Sequence, residues 1–445
     1  MTKVRFAPSP TGHLHIGNAR VALANFLFAR RLGGTFVLRI DDADAERCRP
    51  EFIDSIEHDL RWLGIGWDES FRQSARLDSY AAAAKRLETS GRLYPCFEGE
   101  DELRFKREMR IKRGQAPIYD RAMLRMTPAQ RAAAEAGGKR PYWRFKLTDT
   151  TVAWADMVRG ASHVKLTAVS DPVLVGADGT PQHAFTSVVD DIETGTTHII
   201  RGEDHLTNSG VQIDLFAALG VNPTRLSFGH LPMLSGGEGG KPSRRRENPT
   251  LRGLRGDGVE PAAIVAYLAR LGSADAPVPL AMEQLAAGFD LSRFTDTAAR
   301  FDAADLLAVN RAVLRAAPFA AVADRLPAGA TDAFWLAVRG HLDLLNEARG
   351  WWDVIAGDIV PPALAHRAAL LRAALDTLPP EPWDDATWPA WADALAVATG
   401  QTGQDVRATL ALALTGEDHG PDIGVMLALI GRARAAERLR LSALG

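Results

Sequence analysis

Residues 8–18, which read PSPTGHLHIGN, combine residue types that suit an anion-binding turn. His15 and Gly17 come directly before a segment with apolar residues at helical spacing, so they would stand at the start of a helix. The first backbone N–H groups of a helix have no partner within it, and the helix dipole favours negative charge there. A histidine at that place can donate a hydrogen bond to a phosphate, and Gly17 would let the ligand approach the backbone. Taken alone, a His-x-Gly triplet is more commonly an ordinary loop feature.

The elements around this turn predict a parallel sheet. Residues 4–6 and 35–40 read as buried strands on either side of the helix, which stops at residues 33–34. A strand, a helix and a strand within about 40 residues form a unit whose strands run parallel, with ligands at the carboxyl ends of the strands. We therefore expect residues 5–9 and 41–42 to flank a ligand.

Length and composition limit the classes of protein to which the chain can belong. The chain has 445 residues, 46% of them hydrophobic and 24% charged, with a formal net charge of −3. This length favours roughly three domains. No apolar run reaches membrane-spanning length and no signal-peptide pattern precedes the first strand, so no membrane partner is expected. Cys48 and Cys96 are too few for a zinc site and are not expected to form a disulfide, which favours a cytoplasmic location.

Charge and periodicity change along the chain. The stretch RFKREMRIKRG (104–114) is strongly basic, whereas residues 301–445 contain twelve arginines, no lysine and eighteen acidic residues. A nucleic-acid partner would prefer the basic surface. Alternating segments between residues 95 and 185 predict a β-rich insertion in an α/β pattern, and beyond Pro261 the pattern predicts helices almost to the end.

The turn at residues 8–18 contains the pattern P-[ST]-P-T-G-x-x-H-[IV]-G, so the chain resembles the class I aminoacyl-tRNA synthetases specific for glutamate or glutamine. LRIDDADAER, PIYDR, RPYWRFKL, DPVL, SVVDD and HIIRGEDHL resemble further family segments in the same order. RGWWDVIAGDI and LALTGEDHGPDI resemble the anticodon-binding part of the bacterial glutamyl-tRNA synthetases. The resemblance covers essentially the whole chain, whose length argues against a shorter relative that glutamylates the nucleoside queuosine.

The resemblance implies an α/β fold: a Rossmann-type parallel sheet split by an insertion and followed by an all-α anticodon-binding region. The implied boundaries are residues 1–94 and 186–235 for the two halves of the catalytic domain, 95–185 for an acceptor-end-binding insertion, 236–310 for a stem-contact region with an ATP loop, and 311–445 for the helical domain.

The implied activity is ATP-dependent ligation of L-glutamate to the 3′ end of tRNA(Glu) through a glutamyl adenylate. A monomer is expected, with Mg²⁺ carried by the ATP phosphates and no zinc, and tRNA(Gln) stays open as a second substrate. Two alternatives remain. One is a duplicated synthetase with altered tRNA specificity or a specialised biosynthetic role, and the other is a catalytically decayed homologue that binds tRNA.

The resemblance also assigns site residues. Those implied to bind ATP are Pro8, Thr11, Gly12, His15, Gly17, Asn18, Lys241, Ser243 and Arg244, and His15, Lys241 and Arg244 among them would be catalytic. Those implied to bind glutamate are Arg5, Ala7, Ser9, Asp41, His183, Ser187, Arg201, Asp204 and His205. Arg201 would hold the side-chain carboxylate through two parallel hydrogen bonds, and Asp41 would hold the α-ammonium group.

Three departures from the family pattern affect these assignments. The ATP loop K-[LM]-S-K-[RS] becomes KPSRR at residues 241–245, and arginine keeps the charge of lysine without its compact shape. His183 stands where a tyrosine commonly lines the amino-acid pocket. Thr402 and Ala411 replace basic residues of the anticodon-binding part. The altered loop predicts slower activation, and the changes at Thr402 and Ala411 leave the identity of the tRNA open.

Overall fold

The computed structural model describes residues 1–44, 46–236, 249–384 and 386–444. They form two compact units, one of Met1–Gly253 with Val265–Asp302 and the other of Leu254–Ile264 with Ala303–Gly445. None of the helices in the described ranges is both long and apolar enough to cross a membrane.

Twelve strands occur within the described ranges: β1 Lys3–Phe6, β2 Thr35–Ile40, β3 Glu69–Arg72, β4 Leu93–Cys96, β5 Tyr142–Phe145, β6 Thr151–Asp156, β7 Gly160–Lys165, β8 Val173–Val175, β9 His198–Gly202, β10 Ser227–Leu231, β11 Leu234–Gly236 and β12 Ala299–Phe301. The helices up to Ala287 are α1 Ile16–Arg31, α2 Pro50–Trp62, α3 Leu77–Thr89, α4 Glu100–Lys112, α5 Pro128–Ala136, α6 His183–Glu193, α7 Leu206–Ala218, α8 Leu251–Gly256, α9 Pro261–Arg270 and α10 Met282–Ala287.

The predicted parallel sheet is confirmed. Strand β2 pairs with β1 and β3, and β10 pairs with β9 and β6, in each case in parallel. The backbone N–H of Thr197 donates to the carbonyl of Lys3 (2.9 Å), which brings β1 beside the start of β9. The carboxyl ends of β1 and β9 therefore lie at one edge, where a ligand of such a sheet is expected.

Helix α1 connects β1 to β2 and begins where the sequence predicts. His15 is its N-cap, and Gly33 follows its last turn with a φ of 59°, a conformation that glycine adopts without strain. Ala19, Leu23 and Phe26 lie on its buried side. The cap and the apolar face together fix where the helix starts and how it packs on the sheet.

The segment between β3 and α6 contains a second, antiparallel sheet, in which β5 pairs with β4 and β8. The hairpin of β6 and β7 does not join it, because β6 pairs with β10 through Asp156 and Phe228. Residues 151–165 thus extend the sheet that contains β9 and β10, although they fall inside the predicted insertion. The boundaries of the predicted domains stay a prediction.

The second unit is helical, as the sequence predicts. Its later helices are α11 Ala303–Ala316, α12 Asp332–Val338, α13 Ala348–Ala356, α14 Ala368–Asp376, α15 Thr387–Thr399, α16 Gln404–Thr415, α17 Ile423–Ile430 and α18 Arg432–Leu444. Their apolar faces enclose one core around Trp335, Trp391 and Leu410. Short helices that each bury one face need such a shared core, because isolated helices of this length are marginal in water.

Candidate active site

A cavity of about 780 Å³ opens at the carboxyl ends of β1, β9 and β10 and at the first turn of α1. The predicted site residues that line it are Arg5, Ala7, Pro8, Ser9, Thr11, Gly12, His15, Gly17, Asn18, His183, Ser187, Arg201, Asp204 and His205. The cavity lining does not include Asp41. The predicted ATP-loop residues Lys241, Ser243 and Arg244 lie outside the described residues.

His15 caps α1 through its ring. Its Nδ1 accepts hydrogen bonds from the backbone N–H groups of Gly17 (3.1 Å) and Asn18 (3.4 Å). Burial lowers the pKa of His15, so the ring is neutral at pH 7 and its proton resides on Nε2. A Cβ at Gly17 would lie 2.9 Å from the ring, which explains the glycine. The arrangement leaves Nε2–H free to donate toward the cavity.

The chain on either side of residues 237–248 lies near this histidine. Leu234 lines the cavity, and the backbone N–H of Ile16 donates to the carbonyl of Pro249 (3.0 Å). His15 and Thr250 also form an antiparallel bridge. Both ends of that stretch therefore stand beside the first turn of α1.

Arg201, at the end of β9, is a buried cation facing the cavity. Its Nη2 donates to Ser209 Oγ (2.5 Å) and to Gln212 Oε1 (2.7 Å), and no carboxylate among the described residues forms an ion pair with it. Burial, together with repulsion from Arg5, lowers the pKa of Arg201 to about 9. A buried guanidinium without a counter-ion is costly, and an anionic ligand in the cavity would neutralise it.

Arg5 and Arg39, which also line the cavity, are paired. Arg5 Nε donates to Asp191 Oδ1 (3.0 Å), and Arg39 donates to Asp41 through Nε (2.6 Å) and Nη2 (3.1 Å). Arg39 Nη2 also donates to Ser187 Oγ (2.7 Å). Asp191 belongs to α6, and Asp41 directly follows β2. These two arginines are therefore neutralised by the protein, unlike Arg201.

The predicted amino-acid pocket holds two histidines. The rings of His183 and His205 lie 6.1 Å apart, and His183 Nδ1 lies 3.2 Å from Asp41 Oδ2. Burial and the charge of Arg201 lower the pKa of His205 to about 4, so this ring is neutral at pH 7. Of the described residues that line the cavity, Asp204 is the one carboxylate.

The turn before α1 supplies the remaining predicted residues. The backbone N–H of Thr11 donates to the carbonyl of Ser9 (2.8 Å), and that of Asp41 donates to the carbonyl of Pro8 (3.0 Å). These bonds hold the turn against the end of β2. Ala7 and Gly12 lie in the same turn and line the cavity.

Sequence reasoning missed Arg20 and Arg39 as cavity residues. Arg20 donates to the carbonyls of Pro232 (2.6 Å) and Leu271 (2.9 Å), and burial lowers its pKa to about 10. It thus ties the middle of α1 to the segment after β10. A charged residue inside the apolar strand TFVLRI was the available signal for Arg39, and an arginine in an otherwise apolar stretch of α1 was the signal for Arg20.

Comparisons with known proteins agree on one family. The family described as "tRNA synthetases class I (E and Q), catalytic domain" matches residues 1–308, and an "Anticodon binding domain" matches residues 362–443. The chain is 59% identical over 443 residues to "Glutamate--tRNA ligase 2" of Acidiphilium cryptum, with 100% of both chains covered, and 59% identical to the protein of the same name from Granulibacter bethesdensis, with 99% of both covered.

A solved structure agrees as well. The chain is similar to a glutamate tRNA ligase from Elizabethkingia meningosepticum in complex with its amino acid, with a TM-score of 0.85 and 26% identity. The similarity covers 100% of this chain and 99% of the other. The likeness therefore extends over both units.

Proposed function

This chain belongs to the class I aminoacyl-tRNA synthetases of the glutamate and glutamine group, and on that premise we propose that it is a glutamate–tRNA ligase. It joins L-glutamate to the 3′ end of a tRNA at the expense of ATP. The observation that carries this proposal is Arg201, a buried guanidinium that faces the cavity and has no carboxylate partner among the described residues. A charge-assisted hydrogen bond from its Nη1 to the side-chain carboxylate of glutamate would neutralise it.

The chemistry needs charge stabilisation and positioning rather than a covalent intermediate. The α-carboxylate of glutamate attacks the α-phosphorus of ATP, pyrophosphate leaves, and a ribose hydroxyl of the tRNA then attacks the mixed anhydride. Preorganised donors aimed at the phosphate would stabilise the charge that develops in the first step. His15 Nε2–H at the first turn of α1 suits that role, since Nδ1 is used by the backbone.

The two substrates would occupy opposite parts of the cavity. The ATP end is formed by the turn before α1 and its first residues, and the glutamate end by β9, α6 and Arg5. Asp204 is the one carboxylate among the described lining residues, so Mg²⁺ would be held mainly by ATP phosphate oxygens. We assign Asp41 to the α-ammonium group together with His183, whose ring stands beside it.

We assign Lys241, Ser243 and Arg244 to the triphosphate from their sequence alone. Their neighbours Leu234 and Pro249 stand beside the cavity and α1, which supports the assignment. Arginine at 244 would present a broad fork to the triphosphate, whereas the lysine of the family pattern would present a compact ammonium group. Replacing Arg244 by Lys should therefore raise the rate of activation, and replacing it by Ala should lower that rate, with little change in glutamate affinity.

The nucleic-acid partner is a tRNA, and tRNA(Glu) is the substrate we propose. We propose that the protein is a monomer and that it is cytoplasmic, a location with which the free cysteines Cys48 and Cys96 agree. The roles of residues 95–185 as the acceptor-end-binding insertion and of residues 311–445 as the anticodon-binding domain are part of the same proposal. Charging of purified tRNA(Glu) and tRNA(Gln), measured separately, tests the choice of tRNA.

ATP–pyrophosphate exchange decides which amino acid the protein activates. We expect exchange with L-glutamate, measured with and without tRNA, and little exchange with L-glutamine, which lacks the anion that Arg201 requires. Equal exchange with the two amino acids would overturn the assignment of Arg201. Absence of exchange with every amino acid, with or without tRNA, would favour a decayed tRNA-binding homologue.

A further inference from the structure

We propose that Ser209, His230 and Asp156 form a buried relay that positions the guanidinium of Arg201 for the carboxylate of its substrate. The inference rests on the proposed function, because it assigns a task to residues that lie behind the glutamate end of the cavity. None of these three residues lines the cavity. They act through Arg201 and are positioning residues.

The relay is continuous and closed to solvent. Arg201 Nη2 donates to Ser209 Oγ (2.5 Å), Ser209 Oγ lies 2.7 Å from His230 Nε2, and His230 Nδ1 lies 2.5 Å from Asp156 Oδ2. The side chains of His230 and Asp156 are 0% exposed, and Ser209 is 0% exposed as a residue. It joins β9, α7, β10 and β6, which are distant in the sequence.

The chemistry of the four groups determines which of them donates in each hydrogen bond of the relay. A guanidinium only donates, so Ser209 Oγ accepts from Arg201. The proton of Ser209 goes to His230 Nε2 (2.7 Å), which is closer than its second acceptor, the carbonyl of His205 (3.3 Å). Burial lowers the pKa of His230, which keeps the ring neutral with its proton on Nδ1 toward Asp156. Although burial opposes it, the hydrogen bond from His230 lowers the pKa of Asp156 to about 2, so its carboxylate is ionised.

Asp156 is itself held in place. Its Oδ1 accepts backbone N–H groups of Val158 (3.0 Å), Arg159 (3.1 Å) and His230 (3.1 Å). The carboxylate therefore orients the imidazole, the imidazole orients the hydroxyl, and the hydroxyl restricts rotation of the guanidinium. Gln212 Oε1 holds the same Nη2 from the other side (2.7 Å). Nη1 of Arg201 is left for a ligand, since Nε is buried.

A relay of this kind predicts a selective kinetic effect. Ser209→Ala removes the acceptor of Arg201 and should raise KM for glutamate about tenfold, as expected for a hydrogen bond to a charged group, with KM for ATP changed by less than about twofold. Ser209→Thr keeps the hydroxyl and should restore KM for glutamate. His230→Asn should resemble Ser209→Ala. Ser442→Ala, which removes another buried serine hydroxyl, is the matched control and should change neither KM.

The test is ATP–pyrophosphate exchange by the full chain, with melting temperatures of each variant and with the imidazole ¹⁵N shifts of His230 measured in the unaltered protein. Nδ1 protonated and Nε2 bare is the expected tautomer. If glutamate is exchanged normally but Ser209→Ala leaves its KM unchanged, or if both KM values rise together, the relay is overturned and the proposed function stands. An unaltered protein that exchanges no glutamate would overturn both.

Discussion

Arg39 and Asp41 form a two-bond ion pair on one side of β2, with Nε 2.6 Å from Oδ1 and Nη2 3.1 Å from Oδ2. Both side chains are almost fully buried. Although burial opposes it, Arg39 holds the pKa of Asp41 below its usual range, and His183 adds to the effect. Asp41 therefore carries a negative charge that Arg39 already binds, at the place proposed for the α-ammonium group.

Asp41→Asn keeps the shape of the side chain and removes its charge. We expect the affinity for glutamate to fall about tenfold, as for a lost hydrogen bond to a charged group. Inhibition by glutarate, which lacks the ammonium group, should stay the same. Competition assays with the two ligands make this comparison, and an equal loss for both would show that Asp41 acts only by holding Arg39.

Local parts of this site were predictable from the sequence. The start of α1 at His15, the strands on either side and the position of the ligand edge all follow from short-range patterns. The pairing of Arg39 with Asp41 also had a local signal, because residues two apart in extended chain point to the same face, and Asp41 directly follows β2.

The partners that determine charge were not predictable in the same way. Arg5 pairs with Asp191, and His230 with Asp156, across 186 and 74 positions of the sequence. No periodicity connects such positions, since sheet order and helix packing bring them together. Only those contacts reveal that Arg5 is neutralised while Arg201 is not.

His15→Asn separates the two tasks of His15. Asparagine is a good N-cap, so α1 should keep its stability, but its shorter side chain cannot present the donor that Nε2–H supplies. We expect activation to slow on the order of a hundredfold, about 3 kcal/mol, with glutamate affinity nearly unchanged. Single-turnover formation of the adenylate measures this effect. An equally active Asn variant would assign His15 to capping alone.

Acid should destabilise the unit that contains His205. This histidine is neutral when folded, because its pKa is lowered to about 4, whereas the unfolded chain binds a proton near pH 6.5. The contribution of His205 to the free energy of unfolding is therefore fully present above about pH 6.5, and it is lost as the pH is lowered toward 4. Melting curves at pH 7.5 and 5.5 should differ less for His205→Gln than for the unaltered protein. His58→Gln, at an exposed position, is the control and should leave the difference unchanged.

Replacement by methionine should destabilise the fold much more at Arg39 than at Arg201. Arg39 is surrounded by Asp41, Asp190 and Asp191, so Arg39→Met leaves buried carboxylates without their cation and should destabilise the fold by about 3–5 kcal/mol. Arg201 has no such partner among the described residues, and its charge is costly to bury. Arg201→Met should therefore change the free energy of unfolding by no more than about 1–3 kcal/mol, the cost of leaving Ser209 and Gln212 without their donor.

The same two variants should differ in activity per folded molecule. Arg201→Met should abolish the preference for glutamate in pyrophosphate exchange, because the side-chain carboxylate loses its cationic partner. Urea denaturation of both variants, followed by exchange assays at matched concentrations of folded protein, tests the contrast. A large loss of stability in Arg201→Met with glutamate preference intact would mean that this guanidinium supports the fold, and that the cation for the substrate lies elsewhere in the cavity.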